Sequence, residues 1–119
     1  MKNGSVISDK SLDFALRIIK AYKFLINEKQ EYVLSKQILR SGTAIGALIR
    51  EGEFAESKKD FIHKLSIALK EANETEYWLV LLKESDYISE ESFCSIHTDC
   101  VELIKLLVSI IKSSKNSES

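Results

Sequence analysis

The histidines and cysteines are the side chains of this sequence best suited to metal or nucleophilic chemistry, and their spacing argues against both. Bundles that hold two metal ions take a Glu-x-x-His pair from each of two helices. This chain has a single related pair, Asp60 and His63, and His97 follows a cysteine by three positions. Cys94 and Cys100 stand six positions apart, on different sides of a helix, which excludes a Cys-x-x-Cys redox or zinc pair. We therefore predict no metal site.

Other catalytic patterns are also missing from the sequence. The glycine-containing residues 42–52 lack the GxxxxGK[ST] arrangement that cradles phosphates. No serine stands in a nucleophile elbow. The two histidines are better explained as surface or boundary residues than as acid–base catalysts. The sequence predicts a protein that is not an enzyme, with no catalytic residues and no cofactor.

Length and composition are those of a single-domain globular protein. The 119 residues suit one domain over 1–119, with 45% hydrophobic and 29% charged residues. A formal net charge of −1 excludes binding to nucleic acid through bulk positive charge. No apolar run approaches the roughly 18 residues of a membrane span. The N-terminus lacks a signal-peptide pattern, and two cysteines are too few for a disulfide framework. We expect a cytoplasmic protein with no membrane partner.

The apolar periodicity predicts four helices. Proline is absent, glycine occurs four times, and apolar residues recur at steps of three and four. The predicted helices cover about residues 9–28, 31–55, 58–86 and 90–113, followed by a disordered polar tail over 114–119. Four amphipathic helices with short connections pack most simply as an all-α, antiparallel up-down-up-down four-helix bundle. In the first helix the predicted core face is Leu12, Ala15, Leu16, Ile19, Tyr22 and Ile26.

Some apolar residues fall outside the predicted core faces. The third helix carries Ile67, Trp78 and Leu81 nearly opposite its core, and the first helix carries Phe14 beside its own. Contiguous exposed apolar surface marks contacts, and Trp and Phe are favoured anchors in them. We predict self-association, in which acidic residues of the third helix pair with basic residues of another subunit. The predicted interface set is Phe14, Ile67, Glu71, Glu74, Trp78 and Leu81. The alternative is a monomer with a broad core.

The second helix carries a basic strip. Lys36, Arg40 and Arg50 share one side of this helix with Thr43 and Ala47, opposite its apolar face. Arginine offers a fork of donors to phosphate, and both basic residue types release counterions on binding. The strip is therefore a candidate contact for RNA or DNA, and the alternative is a solvated helix face.

Two stretches of the sequence carry a family resemblance. Residues 37–52 read QILRSGTAIGALIREG, and residues 59–79 read KDFIHKLSIALKEANETEYWL. Together they resemble the bacterial four-helix-bundle proteins encoded in intervening sequences of 23S ribosomal RNA genes. This family is similar in fold to the accessory variability protein of diversity-generating retroelements. The match includes Arg40 and Arg50, while Leu48 stands where relatives commonly place Asn.

The resemblance implies a small up-down bundle that forms homopentamers and contacts RNA or DNA. We therefore interpret the sequence as a non-enzymatic homo-oligomer whose Lys36, Arg40 and Arg50 contact nucleic acid. The alternative is a scaffold for protein–protein interaction with no role in binding nucleic acid. Salt separates the two, because phosphate contacts weaken as salt rises whereas apolar burial is weakly screened.

Overall fold

The computed structural model describes residues 5–117 of the chain. These residues form four helices: α1 (Val6–Glu28), α2 (Leu34–Glu53), α3 (Lys58–Glu84) and α4 (Glu90–Asn116). Each helix packs on its neighbours in chain order, and α4 returns to contact α1. The bundle measures 50 × 22 × 21 Å. The predicted all-α four-helix bundle is confirmed.

Serine side chains cap three of the helices. Ser5, Ser57 and Ser89 each accept a hydrogen bond from the backbone N–H three residues later, which satisfies one of the unpaired donors of the first turn. The cap at Ser5 starts α1 three residues before the predicted start at residue 9. At the other end of the chain, α4 continues through residues 114–116, which were predicted to be disordered. Residues 118–119 of that predicted tail lie outside the described residues.

The helix α2 begins three residues later than predicted, and a buried carboxylate lies just before its first turn. Glu31 is only 9% exposed. Its carboxylate accepts hydrogen bonds from the backbone N–H groups of Val33, Leu34 and Ser35 at 3.2, 2.9 and 2.7 Å. Three donors at the positive end of a helix stabilise a carboxylate strongly, so Glu31 precedes the helix rather than belonging to it.

The buried side of α1 differs from the prediction. Its buried residues are Ile7, Ser11, Phe14, Ile18 and Leu25. Leu12 and Leu16, predicted to be core, are 60% and 55% exposed. The prediction that Phe14 contacts another subunit is wrong, because this side chain is 1% exposed within one chain. The reason is that α1 carries two apolar stripes, and packing on the other helices buries the one that contains Phe14.

Glycine lets α1 approach α2 closely. A Cβ atom placed on Gly42 would lie 2.8 Å from Cγ1 of Ile18, which is closer than carbon atoms approach one another. Ile18 is fully buried and β-branched, so it has little freedom to move away. The two helices are therefore packed tightly at this glycine, with Ile18 facing α2.

Candidate interaction surfaces

Lys36 and Arg50 are the exposed ends of the basic strip on α2. Both are exposed, and no hydrogen bond or ion pair holds either of them within residues 5–117. Fourteen residues of helix separate them, which corresponds to about 21 Å. Thr43 and Ala47 lie between them as small side chains that leave the strip accessible. This surface can approach an extended anion such as a nucleic-acid backbone.

Arg40, in the middle of the strip, is held by carboxylates of its own chain. Its Nη1 donates to Oε1 of Glu71 at 3.1 Å, and its Nη2 donates to Oε2 of Glu74. The same Glu74 oxygen accepts a hydrogen bond from the indole Nε1 of Trp78 at 2.9 Å. The hydrogen bond with Arg40, followed by that with Trp78, lowers the pKa of Glu74, and the bond with Glu74 raises the pKa of Arg40. Glu71 and Glu74, predicted to pair with another subunit, thus pair with Arg40 within the chain.

A buried pair of hydroxyls lies below this ion-pair cluster. Ser41 and Thr75 are both fully buried, and their hydroxyl oxygens are 2.8 Å apart. The Thr75 hydroxyl also donates to the backbone carbonyl of Glu71 at 2.8 Å. Because buried polar groups cost free energy unless they are hydrogen-bonded, this pair fixes the register of α2 against α3. That register brings Arg40 level with Glu71 and Glu74.

The remaining predicted interface residues lie on the outer part of α3. Ile67, Trp78 and Leu81 are all half-buried within one chain, and Trp78 packs against the core. Neither Ile67 nor Trp78 is fully covered. Two further apolar residues that the sequence prediction did not include, Tyr77 and Val80, are 56% and 36% exposed. The outer face of α3 is therefore more apolar than the predicted set indicated.

The exposed leucines of α1 are the surface that the sequence prediction missed. Leu12 and Leu16 lie one turn apart on the side of α1 that faces away from the core. The sequence signal that could have found them is the alternating spacing of four and three residues through Ile7, Ser11, Phe14 and Ile18, which predicts a core face that excludes both leucines.

The histidines and cysteines lie apart from one another. His97 Nε2 is 2.9 Å from a carboxylate oxygen of Glu76, and its ring stacks on Phe93 with centroids 4.6 Å apart. Cys94 is exposed, while burial raises the pKa of the Cys100 thiol to about 12. Within residues 5–117, no group of three or more His, Cys, Asp and Glu side chains is placed to hold a metal ion. The described helices also contain no stretch long and apolar enough to cross a membrane.

Leu48 lies half-buried on α2 and packs against the core. In relatives that carry Asn at this position, as the resemblance implies, the side chain would bring hydrogen-bonding groups to the same place. In this chain the side chain is apolar and adds to the packing on the core.

These features define a four-helix bundle with exposed apolar and basic surfaces. The family model of the 23S rRNA-intervening sequence protein matches residues 4–109, and the chain belongs to this family. It is also similar to a crystal structure from Bacteroides thetaiotaomicron VPI-5482, described as a protein with unknown function from the S23 ribosomal protein family. That protein is 64% identical, with a TM-score of 0.89, over 90% of this chain and 99% of the other. No curated protein matches the sequence.

Proposed function

We propose that this protein is a non-enzymatic, self-associating helical bundle of the cytoplasm that acts through its surfaces. The observation that carries the proposal is the apolar surface left on a well-packed single chain. Leu12, Leu16 and Tyr77 each expose more than half of their surface, although the same chain buries a hydrophobic core. Exposed apolar patches of this kind mark interaction sites. The pentamer implied by the family resemblance is one assembly that would cover them.

Sedimentation velocity over a hundredfold range of concentration tests the proposal. The expected result is a species several times heavier than the 13.5 kDa chain, with dissociation on dilution. Added salt should shift this equilibrium less than it shifts phosphate binding, since apolar burial is weakly screened. A single 13.5 kDa species at every concentration would refute self-association.

Contact with RNA or DNA is a second candidate function. The observation that favours it is the pair of exposed cations Lys36 and Arg50 on the outward side of α2, neither of which has a partner among residues 5–117. Arg40 was predicted to contact phosphate as well, but its guanidinium forms ion pairs with Glu71 and Glu74 of the same chain, which favours Lys36 and Arg50 as the contacts. The proposed phosphate contacts are therefore Lys36 and Arg50, with Arg40 holding α2 to α3.

Charge reversal separates these roles. The Lys36→Glu plus Arg50→Glu variant should lose binding to single-stranded RNA of mixed sequence, with a shallower salt dependence than the parent by about two phosphates. A matched control reverses two exposed lysines of α4, Lys105→Glu plus Lys112→Glu, and should bind as the parent does at equal net charge. Equal loss in both variants would show that only total charge matters, and retained binding in the first would refute the contacts.

A protein scaffold with no nucleic-acid role is the alternative to this second candidate. The half-buried indole of Trp78 favours it, because a large aromatic ring at a partly exposed position is a frequent anchor for a protein partner. Under this alternative, Trp78→Ala abolishes partner capture and the lysine and arginine reversals leave it intact. Since Trp78 also donates to Glu74, thermal unfolding of the variant must confirm that the bundle remains folded.

A further inference from the structure

The outward side of α1 carries a strip of residues that its own chain leaves uncovered. Asp9, Leu16 and Lys23 follow one another at seven-residue spacing, and all three are exposed. Seven residues make nearly two helical turns, so these side chains lie along one line, about 10 Å apart. Leu12, 60% exposed, enlarges the apolar middle. These four residues, called the α1 strip, are acidic, apolar and basic in chain order.

The outward side of α3 carries the opposite pattern. Lys70, Tyr77 and Glu84 are also exposed and also follow one another at seven-residue spacing. Val80 enlarges the apolar middle and is 36% exposed. These four residues, called the α3 strip, are basic, apolar and acidic in chain order. Glu84 has a carboxylate oxygen 3.4 Å from Nζ of Lys83 but keeps 66% of its side chain exposed, so it remains available to a second cation.

The up-down topology places the two strips in the same orientation. Alternate helices of such a bundle run in the same direction, so α1 and α3 are parallel. When a second copy lies alongside with its axis parallel, the α1 strip of one copy meets the α3 strip of the other with opposite charges at both ends. We infer that copies of this chain associate through the α1 strip of one and the α3 strip of the next, with Leu16 against Tyr77.

The distribution of charge favours this head-to-tail contact over a contact of one strip with itself. Between Val6 and Glu53 the chain has eight basic and six acidic residues, and between Lys58 and Asn116 it has eight basic and ten acidic ones. Unlike halves attract, whereas like halves repel. A single contact of this kind also covers the apolar middle of both strips in every internal copy, as a heterologous interface does. The inference rests on the proposed self-association and names the surfaces that perform it.

Mixing two variants tests the inference. Leu16→Glu breaks the α1 strip and Tyr77→Glu breaks the α3 strip, and both positions are exposed, so each variant should fold. Each alone should sediment as a monomer. An equimolar mixture should form a heterodimer and nothing larger, because one intact strip remains on each chain. Val108→Glu is the matched control: it places the same charge at a 46% exposed apolar residue of α4 and should associate as the parent does.

The outcomes separate this inference from the proposed function. A parent chain that is monomeric throughout overturns both. If the parent chain and the Tyr77→Glu variant both associate, only the pairing of the α1 strip with the α3 strip is overturned. That result would point to contact between the α1 strips of two copies. Loss of association in Val108→Glu would likewise overturn the pairing, because that residue belongs to neither strip.

A charge swap gives an independent test that does not depend on breaking the apolar middle. Lys23→Glu alone and Glu84→Lys alone should each raise the dissociation constant roughly tenfold, since each places like charges opposite one another. Both changes in one chain restore an opposite pair and should recover most of the parent affinity. A double variant weaker than either single variant would show that these two residues do not meet.

Discussion

The first helix, α1, is packed differently against its two neighbours, α2 and α4. Against α2 it packs closely, because Gly42 leaves room for the branched side chain of Ile18. Against α4 the two helices leave a groove of about 890 Å³ near the α3–α4 connection, lined by Phe24 and floored by core residues such as Ile38. A groove of about 1220 Å³ also lies between α1 and α2, lined by Leu12 and Gly46, so the close packing on that side is local to Gly42 and Ile18. This contact with α2 sets the position of α1.

Polar contacts join α1 to α4 across the groove between them. Nη1 of Arg17 donates to Asp99 at 2.6 Å, and Nη2 donates to the Ser95 hydroxyl at 2.8 Å. Lys10 lies 3.0 Å from Glu102 further along the same pair of helices. These side chains are about 40% exposed or more, so water and salt weaken their attraction. The difference between apolar packing and exposed ion pairs should therefore be measurable in stability.

The largest expected effect comes from removing the aromatic ring that α1 places in the core. Phe14→Ala should reduce the free energy of unfolding by about 3–5 kcal/mol, since it deletes a fully buried ring and leaves a cavity. Leu12→Ala, on the opposite side of the same helix, should change it by less than about 0.5 kcal/mol. Urea denaturation below the association concentration measures both. Similar losses in the two variants would contradict the observed orientation of α1.

Phe14 and Leu12 also show where the sequence alone predicts which residues are buried and where it does not. In α3 the buried residues from Leu65 through Leu82 follow one another at steps of three and four, which is the spacing that periodicity predicts for a core face. In α1, the stripes containing Phe14 and Leu16 are both apolar, so periodicity alone does not choose between them. The choice depends on Gly42, which lies in another helix.

The residues of the candidate surfaces show the same difference between what one helix determines and what contact between helices determines. The sequence correctly places Lys36 and Arg50 on an exposed side of α2, because one helix determines that geometry. It assigns Arg40 to the same role, yet Glu71 and Glu74 neutralise it from α3. That pairing depends on the register set by the buried hydroxyls of two helices, which is a tertiary property. Local pattern thus predicts exposure, and contact between helices decides whether a charge is available.

The second expected effect breaks the close packing of α1 on α2. Gly42→Val should destabilise the fold by about 1–3 kcal/mol, because the added carbon atoms overlap Ile18 and neither helix can move freely. Gly46→Ala is the matched control, since its Cβ would lie 3.4 Å from the Ser11 carbonyl oxygen, and the gain in helix propensity offsets that contact. Thermal unfolding compares them. A neutral Gly42→Val variant would show that α1 is packed less closely than described.

The third expected effect concerns the packing of α4 against α3. Cys100 packs against α3, with its sulfur 3.5 Å from the Ala72 carbonyl oxygen, and burial raises the pKa of its thiol to about 12. An exposed thiol in the unfolded chain loses its proton near pH 8.5. Below pH 8.5 the thiol is protonated in both states, and its contribution to the free energy of unfolding is fully present. As the pH rises towards 12 this contribution is lost, by roughly 1–2 kcal/mol at pH 10. The slope of stability between pH 8 and 10 should be smaller in Cys100→Ala, and equal slopes would contradict it.

The smallest effect comes from the ion pairs that bridge α1 and α4. Arg17→Ala should cost at most about 1 kcal/mol in low salt, because the guanidinium and its carboxylate partner are both well exposed. The cost should shrink further in 1 M salt, where screening acts over about 3 Å. Lys10→Ala, which removes a single exposed pair, should cost less still. If Arg17→Ala instead destabilised the fold as much as Gly42→Val, and did so equally at high salt, α1 would be packed as firmly against α4 as it is against α2 at Gly42.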